Sequence, residues 1–385
     1  MTASSPKPPT FTFGIEEEYL LVDPNTRNLA IDPPKALFAE SEAALKKQVS
    51  PEFLRSQIEV GTRVCATHDE ARNELTHLRG TIARIAGRHG LAPIAASTHP
   101  FAGWADQRHT DKERYRTLAH DLQVIGRRLV ICGMHVHVAI EDDDFRIDLM
   151  NQIRYFLPHL LVLSTSSPFW QGDNTGLKSY RLAIHEESPR TGLPGSFGSW
   201  HEYQSTIGVL VQAGVIEDAT KIWWDIRPSA RFPTLEMRIT DVCTRLDDAL
   251  AIAALYRCIC RMLFRLRRDN QRWRQYPLLL LNENRWRAQR YGLDQGLFDF
   301  GRGEIVPVAA LIEELIVLVA DDAAFFGCQA EIAHLRTIIV RGTSADLQLR
   351  RYQQLVASGA NHETALSGVV DHLIEEMAVT WKHGC

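Results

Sequence analysis

Gly133-Met134-His135-Val136-His137-Val138-Ala139-Ile140 follows the apolar run Leu129-Val130-Ile131-Cys132. The segment reads as a buried strand opened by a glycine. Side chains alternate faces along a strand. His135 and His137 therefore share one side, while Met134, Val136 and Val138 share the other and face the core. Two imidazoles on one face call for something in front of them. The same every-second-residue pattern recurs with charged groups in Phe13-Gly14-Ile15-Glu16-Glu17-Glu18-Tyr19 and in Thr234-Leu235-Glu236-Met237-Arg238-Ile239. These strands are expected to lie in one sheet and to line one polar face.

Working outward, residues 11–22 alternate and end at the turn signal Asp23-Pro24-Asn25-Thr26. Residues 53–62 hold Gln57-Ile58-Glu59-Val60, a further short strand with a carboxylate at an alternating position. Thr67-His68-Asp69-Glu70 supplies a cap and an acidic first turn for a helix to about residue 89. Leu75, Leu78, Ile82 and Ile85 keep the helical period inside it. Residues 91–96 read as a strand and 111–127 as a helix. A helix capped by Glu141-Asp142-Asp143-Asp144 is expected to run to about 163.

Residues 164–198 are rich in Ser, Gly, Pro, Thr and Arg and show no sustained period. Their aromatics Phe169, Trp170, Tyr180 and Phe197 argue against disorder, so they read as a substrate-binding loop system. From residue 246 onward helices dominate, over about 246–267, 305–320, 331–341, 344–357 and 361–381. The class is α+β, with about six to eight strands. Charged strand faces imply an antiparallel sheet, covered by helices on one side and open on the other.

The chain has 385 residues, 45% hydrophobic and 23% charged, which are ordinary globular values. It reads as one catalytic domain over 11–385, preceded by a loose Ser/Pro/Lys-rich tail at 1–10. A net charge of -4 gives no nucleic-acid footprint. No run approaches the roughly 18 apolar residues of a membrane span. The seven cysteines lack a framework of spacings, so free thiols in a reducing, cytoplasmic setting are expected. Cys258 and Cys260 lie in a helical pattern, where residues two apart do not share a face.

Glu16 and Glu18 share one face of their strand. Adjacent carboxylates repel, and a divalent cation removes the conflict. Hard carboxylate oxygens suit Mg²⁺, and imidazoles alongside are better tolerated by Mn²⁺. Glu59, Glu236 and His135 complete a plausible ligand set. Mg²⁺ commonly takes phosphate oxygens in its remaining positions, which points to a nucleotide. Arg181, Arg190, Arg227, Arg231 and Arg238 fit an anionic substrate, because guanidinium groups bind carboxylate and phosphate bidentately. Each feature also has a blander reading, such as a solvated strand face or a surface Glu236–Arg238 pair. The same residues fit a metal-dependent hydrolase or a binding module as well as a ligase.

Several segments together resemble the glutamate-cysteine ligase type 2 family, carboxylate-amine ligases of the glutamine synthetase and guanido kinase fold superfamily. They are the two stretches around Glu16–Glu18 and His135–His137, Ser166-Ser167-Pro168-Phe169-Trp170, Thr175-Gly176-Leu177-Lys178-Ser179-Tyr180-Arg181, and Trp224-Asp225-Ile226-Arg227-Pro228 through Arg238. The resemblance spans roughly 11–375. It implies an antiparallel sheet curved into an open funnel, like a glutamine synthetase catalytic domain.

By resemblance, Glu16, Glu18, His135 and Glu236 match metal ligands, and Glu59 matches a further one. His137 matches a position beside nucleotide phosphate, and Arg238 an arginine that meets phosphate. Arg181 is assigned with Arg238 to catalysis in the substrate and phosphate loop, and Arg190 and Arg227 with His137 to nucleotide binding. The implied cofactors are ATP with Mg²⁺ or Mn²⁺, and the implied substrates are glutamate and cysteine or another amine. The implied reaction passes through γ-glutamyl phosphate to γ-glutamylcysteine. A homo-oligomer such as a dimer is compatible with the resemblance, although no residue pattern encodes it.

Overall fold

The computed structural model describes residues 8–382. Of the expected tail, residues 1–7 lie outside the described residues. Thr10 is held by Glu141, which accepts from its amide at 3.2 Å and its hydroxyl at 2.6 Å.

Seven strands form the main sheet: β1 (Phe13–Val22), β2 (Val49–Pro51), β3 (Gln57–Gly61), β4 (Ala92–Ile94), β5 (Met134–Ala139), β6 (Ile226–Pro228) and β7 (Thr234–Met237). Their order is β6-β7-β5-β1-β3-β2, and every neighbouring pair is antiparallel. The sheet stays open. Strand β1 is its centre, with β3 along one edge. Strand β5 pairs with its first half on the other edge, and β4 takes over at Leu20–Val22.

The alternation in β1 sorts its side chains. Phe13, Ile15, Glu17 and Tyr19 are buried on the helix-covered face, whereas Glu16 and Glu18 face the open side. A charge survives in the core at Glu17 because Arg79 meets it there. The guanidinium donates to both carboxylate oxygens at 2.8 and 2.5 Å, and the Tyr19 hydroxyl donates to Glu17 at 2.6 Å. Arg79 also donates to the carbonyls of Cys243 and Thr244, both at 2.8 Å. The ion pair is thus hydrogen-bonded on all sides, the condition under which a buried pair is tolerated.

Arg79 sits on the helix His68–Arg88, whose start is fixed by the capping box of Thr67 and Glu70. The helix Leu246–Arg268 covers the same side. Its Tyr256 hydroxyl donates to Leu235 O at 3.1 Å, and Arg257 Nε donates to Phe11 O at 2.7 Å. Outside these, the helix His362–Lys382 packs on His68–Arg88 and β4.

Several elements depart from expectation. The helix expected over 141–163 breaks into Asp143–Ile153 and Leu157–Ser164. Pro158 explains this: it has no N–H to donate and is tolerated only in a first turn. The helix expected over 111–127 divides at Gln123, whose φ is 51°. Residues 305–320 open with the strand Glu304–Val306, and the helix begins at Val308 after Pro307. The loop 164–198 contains the short helix Tyr180–His185. Helices Trp200–Gln212 and Leu278–Tyr291 were not anticipated. The second starts in four consecutive leucines, which carry no period.

Candidate active site

Three transverse rows cross the open face of the sheet. Arg227, Glu236 and His137 are cross-strand partners in the first, His135 and Glu16 in the second, and Glu18, Glu59 and Ser50 in the third. The rows work because each strand places chemistry at every second residue. Together they line a cavity of about 500 Å³.

Glu16 sits at the junction. Its carboxylate lies 3.3 Å from His135 Nδ1 and 3.4 Å from His137 Nε2. Burial would raise its pKa, but the hydrogen bonds and charges of the two imidazoles outweigh that and hold it well below the usual carboxylate range. His137 Nδ1 bonds Thr234 Oγ1 at 3.0 Å, which turns Nε2 toward Glu16 and Glu236. Ligand-capable atoms of Glu16, His137 and Glu236 all lie within 4.8 Å of one another. The resemblance gave His135 to metal and His137 to phosphate. In the structure it is His137 that joins the compact trio, while His135 hydrogen-bonds Glu16 from the next row.

Glu236 is nearly fully buried, with Arg227 Nε donating at 2.9 Å and Arg238 pairing on its other oxygen. Burial opposes ionisation, yet Arg238 and then Arg227 keep its pKa far below the ordinary value. The Nε of Arg238 is buried without a hydrogen-bond partner among the described residues, so this guanidinium retains a donor beside the cavity. A buried orphan donor is unfavourable by about 1–3 kcal/mol until an acceptor arrives.

The third row is short of positive charge. Glu18 accepts from the Gly133 amide at 2.7 Å, and Glu59 accepts from Ser50 at 2.7 Å. Burial and then Glu59 push Glu18 up to about 7, and burial and then Glu16 raise Glu59. Glu52 joins them from the irregular connection between β2 and β3. Burial, Glu59 and Glu18 push it well above the usual range. No periodicity marks Pro51-Glu52-Phe53, so sequence reasoning missed this carboxyl. Crowded carboxyls that resist ionising together are the donor set a hard divalent cation satisfies. The residues present fit such an ion.

The remaining arginines divide. Arg181 borders the cavity, but its guanidinium donates to backbone carbonyls of Ile239 and Arg238 at 3.2 and 3.1 Å. It passes so close to Gly133 that a Cβ there would stand 3.0 Å from Arg181 Cζ. Arg181 therefore clamps the end of β7 to the start of β5, and only glycine fits at 133. Arg190 is not among the cavity-lining residues. Its backbone turns at φ 60°, Nε donates to Lys221 O at 2.9 Å, and the guanidinium lies 5.4 Å from the Trp223 ring. Arg231 lines the mouth together with Lys112, Lys221 and Phe232.

The two serine-containing segments quoted above meet at buried Asp241. It accepts from the Ser166 amide and from the hydroxyls of Ser167 and Ser179 at 2.7–2.9 Å. They hold the loop rather than face the cavity.

An open antiparallel sheet whose polar face gathers carboxylates, imidazoles and arginines over one cavity is a built site for an anionic substrate. Comparison with known proteins narrows the class. The model of the family described as Glutamate-cysteine ligase family 2 matches residues 12–372. A protein of Rhodospirillum rubrum, named as a candidate glutamate--cysteine ligase 2, is 65% identical over 372 residues, covering 96% of each chain. A similarly named protein of Jannaschia sp. is 56% identical, covering 96% of this chain and 97% of its own.

Among solved structures, the glutamate–cysteine ligase of Francisella tularensis in complex with AMP superposes with TM-score 0.65 at 13% identity, covering 97% of this chain and 93% of that one. A bifunctional glutathione synthetase from Pasteurella multocida gives 0.69 at 15% identity, with 95% of this chain matching 52% of that chain. These two likenesses concern the fold. The chain belongs to glutamate-cysteine ligase family 2. It is an ATP-dependent ligase that forms amide bonds.

Proposed function

We propose that the chain joins glutamate to cysteine, using ATP to convert the γ-carboxylate of glutamate into an acyl phosphate that the amine then attacks. The observation that carries this reading is the trio Glu16, His137 and Glu236, clustered within 4.8 Å beside the unpartnered Arg238 Nε. Mg²⁺, or Mn²⁺, would be held by that trio with His135, Glu18, Glu59 and Glu52 around it, and when bound it supplies positive charge against phosphate oxygens.

The chain's own groups do the rest. Arg227 and Arg238 fix Glu236 as a carboxylate, and Arg238 keeps one donor for an anionic oxygen. Positioned positive charge of this kind lowers the barrier to phosphoryl transfer because it needs no reorganisation during the step. Arg181 and Thr234 act on orientation: one holds the backbone of Arg238, the other the ring of His137. Free thiols at the described cysteines support a reducing cytoplasmic setting.

The test is ADP release in Mg²⁺ over pairs of amino acids. ADP is expected with glutamate and cysteine together and not with either alone. Equal release with and without cysteine sinks the choice of acceptor; an ADP signal with another amine would name the acceptor instead. Turnover without ATP would move the protein to the hydrolases.

A further inference from the structure

On the helix-covered side, away from the polar cavity, a group of thiols surrounds the start of β1. Cys258 lies on the helix Leu246–Arg268, and Cys328 lies in the turn before the helix Gln329–Arg341. Their sulfurs are 3.6 Å apart, and both side chains are fully buried. His68 adjoins Cys328 and packs its ring 4.8 Å from that of Phe13. Its chain neighbours Gly327 and Gln329 are exposed, and Phe325 is 63% exposed, so the turn that bears Cys328 lies at the surface. Cys65 is also close to Phe13 through its backbone, but its Sγ is directed at Arg63 O, 3.3 Å away.

We infer that Cys258 and Cys328 form a redox pair that closes to a disulfide in exchange with a small-molecule disulfide, with Cys328 as the entry thiol. Opening of the exposed turn admits the reagent. The Cys328 thiolate attacks one sulfur of R–S–S–R, forms Cys328–S–S–R and expels R–S⁻. Cys258 then loses its proton and attacks the Cys328 sulfur, releasing the second R–S⁻. Two protein thiols are oxidised by two electrons, and one small disulfide is reduced to two thiols.

The surroundings divide these roles. The hydrogen bond from Cys258 and, against the opposing effect of burial, the nearby His68 bring Cys328 to about 6. The same hydrogen bond and then burial push Cys258 well above an ordinary thiol. A ready thiolate beside a protonated resolving thiol is the pairing that exchange needs. A bond of about 2.05 Å requires the sulfurs to approach by roughly 1.5 Å. That movement acts on the helix turn bearing Tyr256 and Arg257, which hold the backbone at Leu235 and Phe11, next to or a few residues from Glu236 and Glu16.

The full chain, reduced and then equilibrated with graded ratios of glutathione disulfide to glutathione, decides the matter by alkylation and peptide mapping. The native protein should lose two alkylatable thiols, the cross-linked peptide should join residues 258 and 328, and dithiothreitol should restore both. In Cys258→Ser, which keeps a hydrogen-bond donor beside Cys328 but cannot resolve the mixed disulfide, Cys328 should instead retain glutathione. Persistence of all thiols, or first modification at any other cysteine, overturns the pair. So does a cross-link that forms only in denaturant, and so does a Cys258→Ser protein left unmodified at Cys328.

Discussion

At the scale of single residues, Glu236 is the most constrained group on the polar face. Two guanidiniums address it, and it lies 3.9 Å from His137 Nε2. Glu236→Gln keeps the shape but removes the charge that Arg227 and Arg238 balance. Binding of Mg²⁺ with ATP, followed by calorimetry, should weaken by at least tenfold, since even outer partners of a metal ligand are worth about 10–100-fold. The variant should keep a cooperative thermal transition. An unchanged affinity would remove Glu236 from the ligand set.

At the scale of elements, β1 serves two faces at once. Its even-numbered glutamates face the cavity, and Glu17 between them ties the sheet to the helix His68–Arg88 through Arg79. Arg79→Met removes one member of a fully buried pair and leaves Glu17 without a countercharge. Such losses destabilise by about 3–5 kcal/mol, which urea unfolding would register directly. A shift below about 1 kcal/mol would mean that Tyr19 and the backbone suffice. This division was only half legible in the sequence. Period-two alternation separates Glu16 and Glu18 from Glu17, because strand geometry alone fixes the faces. The partner of Glu17 lies 62 residues away on a helix, and no local pattern couples the two. Glu52 was illegible for the same reason: tertiary folding of an irregular segment, not periodicity, carries it to Glu59. His-x-His and Glu-x-Glu are readable at a glance. The rotation of His137 by Thr234 is not, since it depends on a hydrogen bond 97 residues apart.

At the scale of the whole molecule, burial of neutral imidazoles shapes the response to acid. His99 Nδ1 accepts from the amide of Ala102 at 2.9 Å, and its Nε2 lies 2.9 Å from Arg27 O. One nitrogen accepts and the other donates, so the ring is neutral. Burial lowers His99 to about 4, and burial likewise lowers His159 to about 4. The unfolded chain has these groups near 6.5. Above that value both states are neutral and stability is intact. As pH falls from about 6.5 to 4, the unfolded chain takes up protons that the fold refuses. Each group then removes about 1.36 kcal/mol per pH unit, and the loss levels off below about 4. Urea midpoints measured across this window should fall less steeply in His99→Asn than in the parent. Identical slopes would show that His99 does not contribute.

The placement of β1 between β5 and β3 also has a temporal side. Strand β1 leaves the ribosome before its partners and cannot complete its pairing until β5 arrives, and β7 and the covering helix Leu246–Arg268 come later still. At about 5–20 residues per second, the roughly 215 residues separating Val22 from Met237 take about 11–43 s to synthesise. Throughout that interval Glu16 and Glu18 belong to a strand with no finished sheet, so a nascent chain holds the cavity's first carboxylates long before it can gather the last.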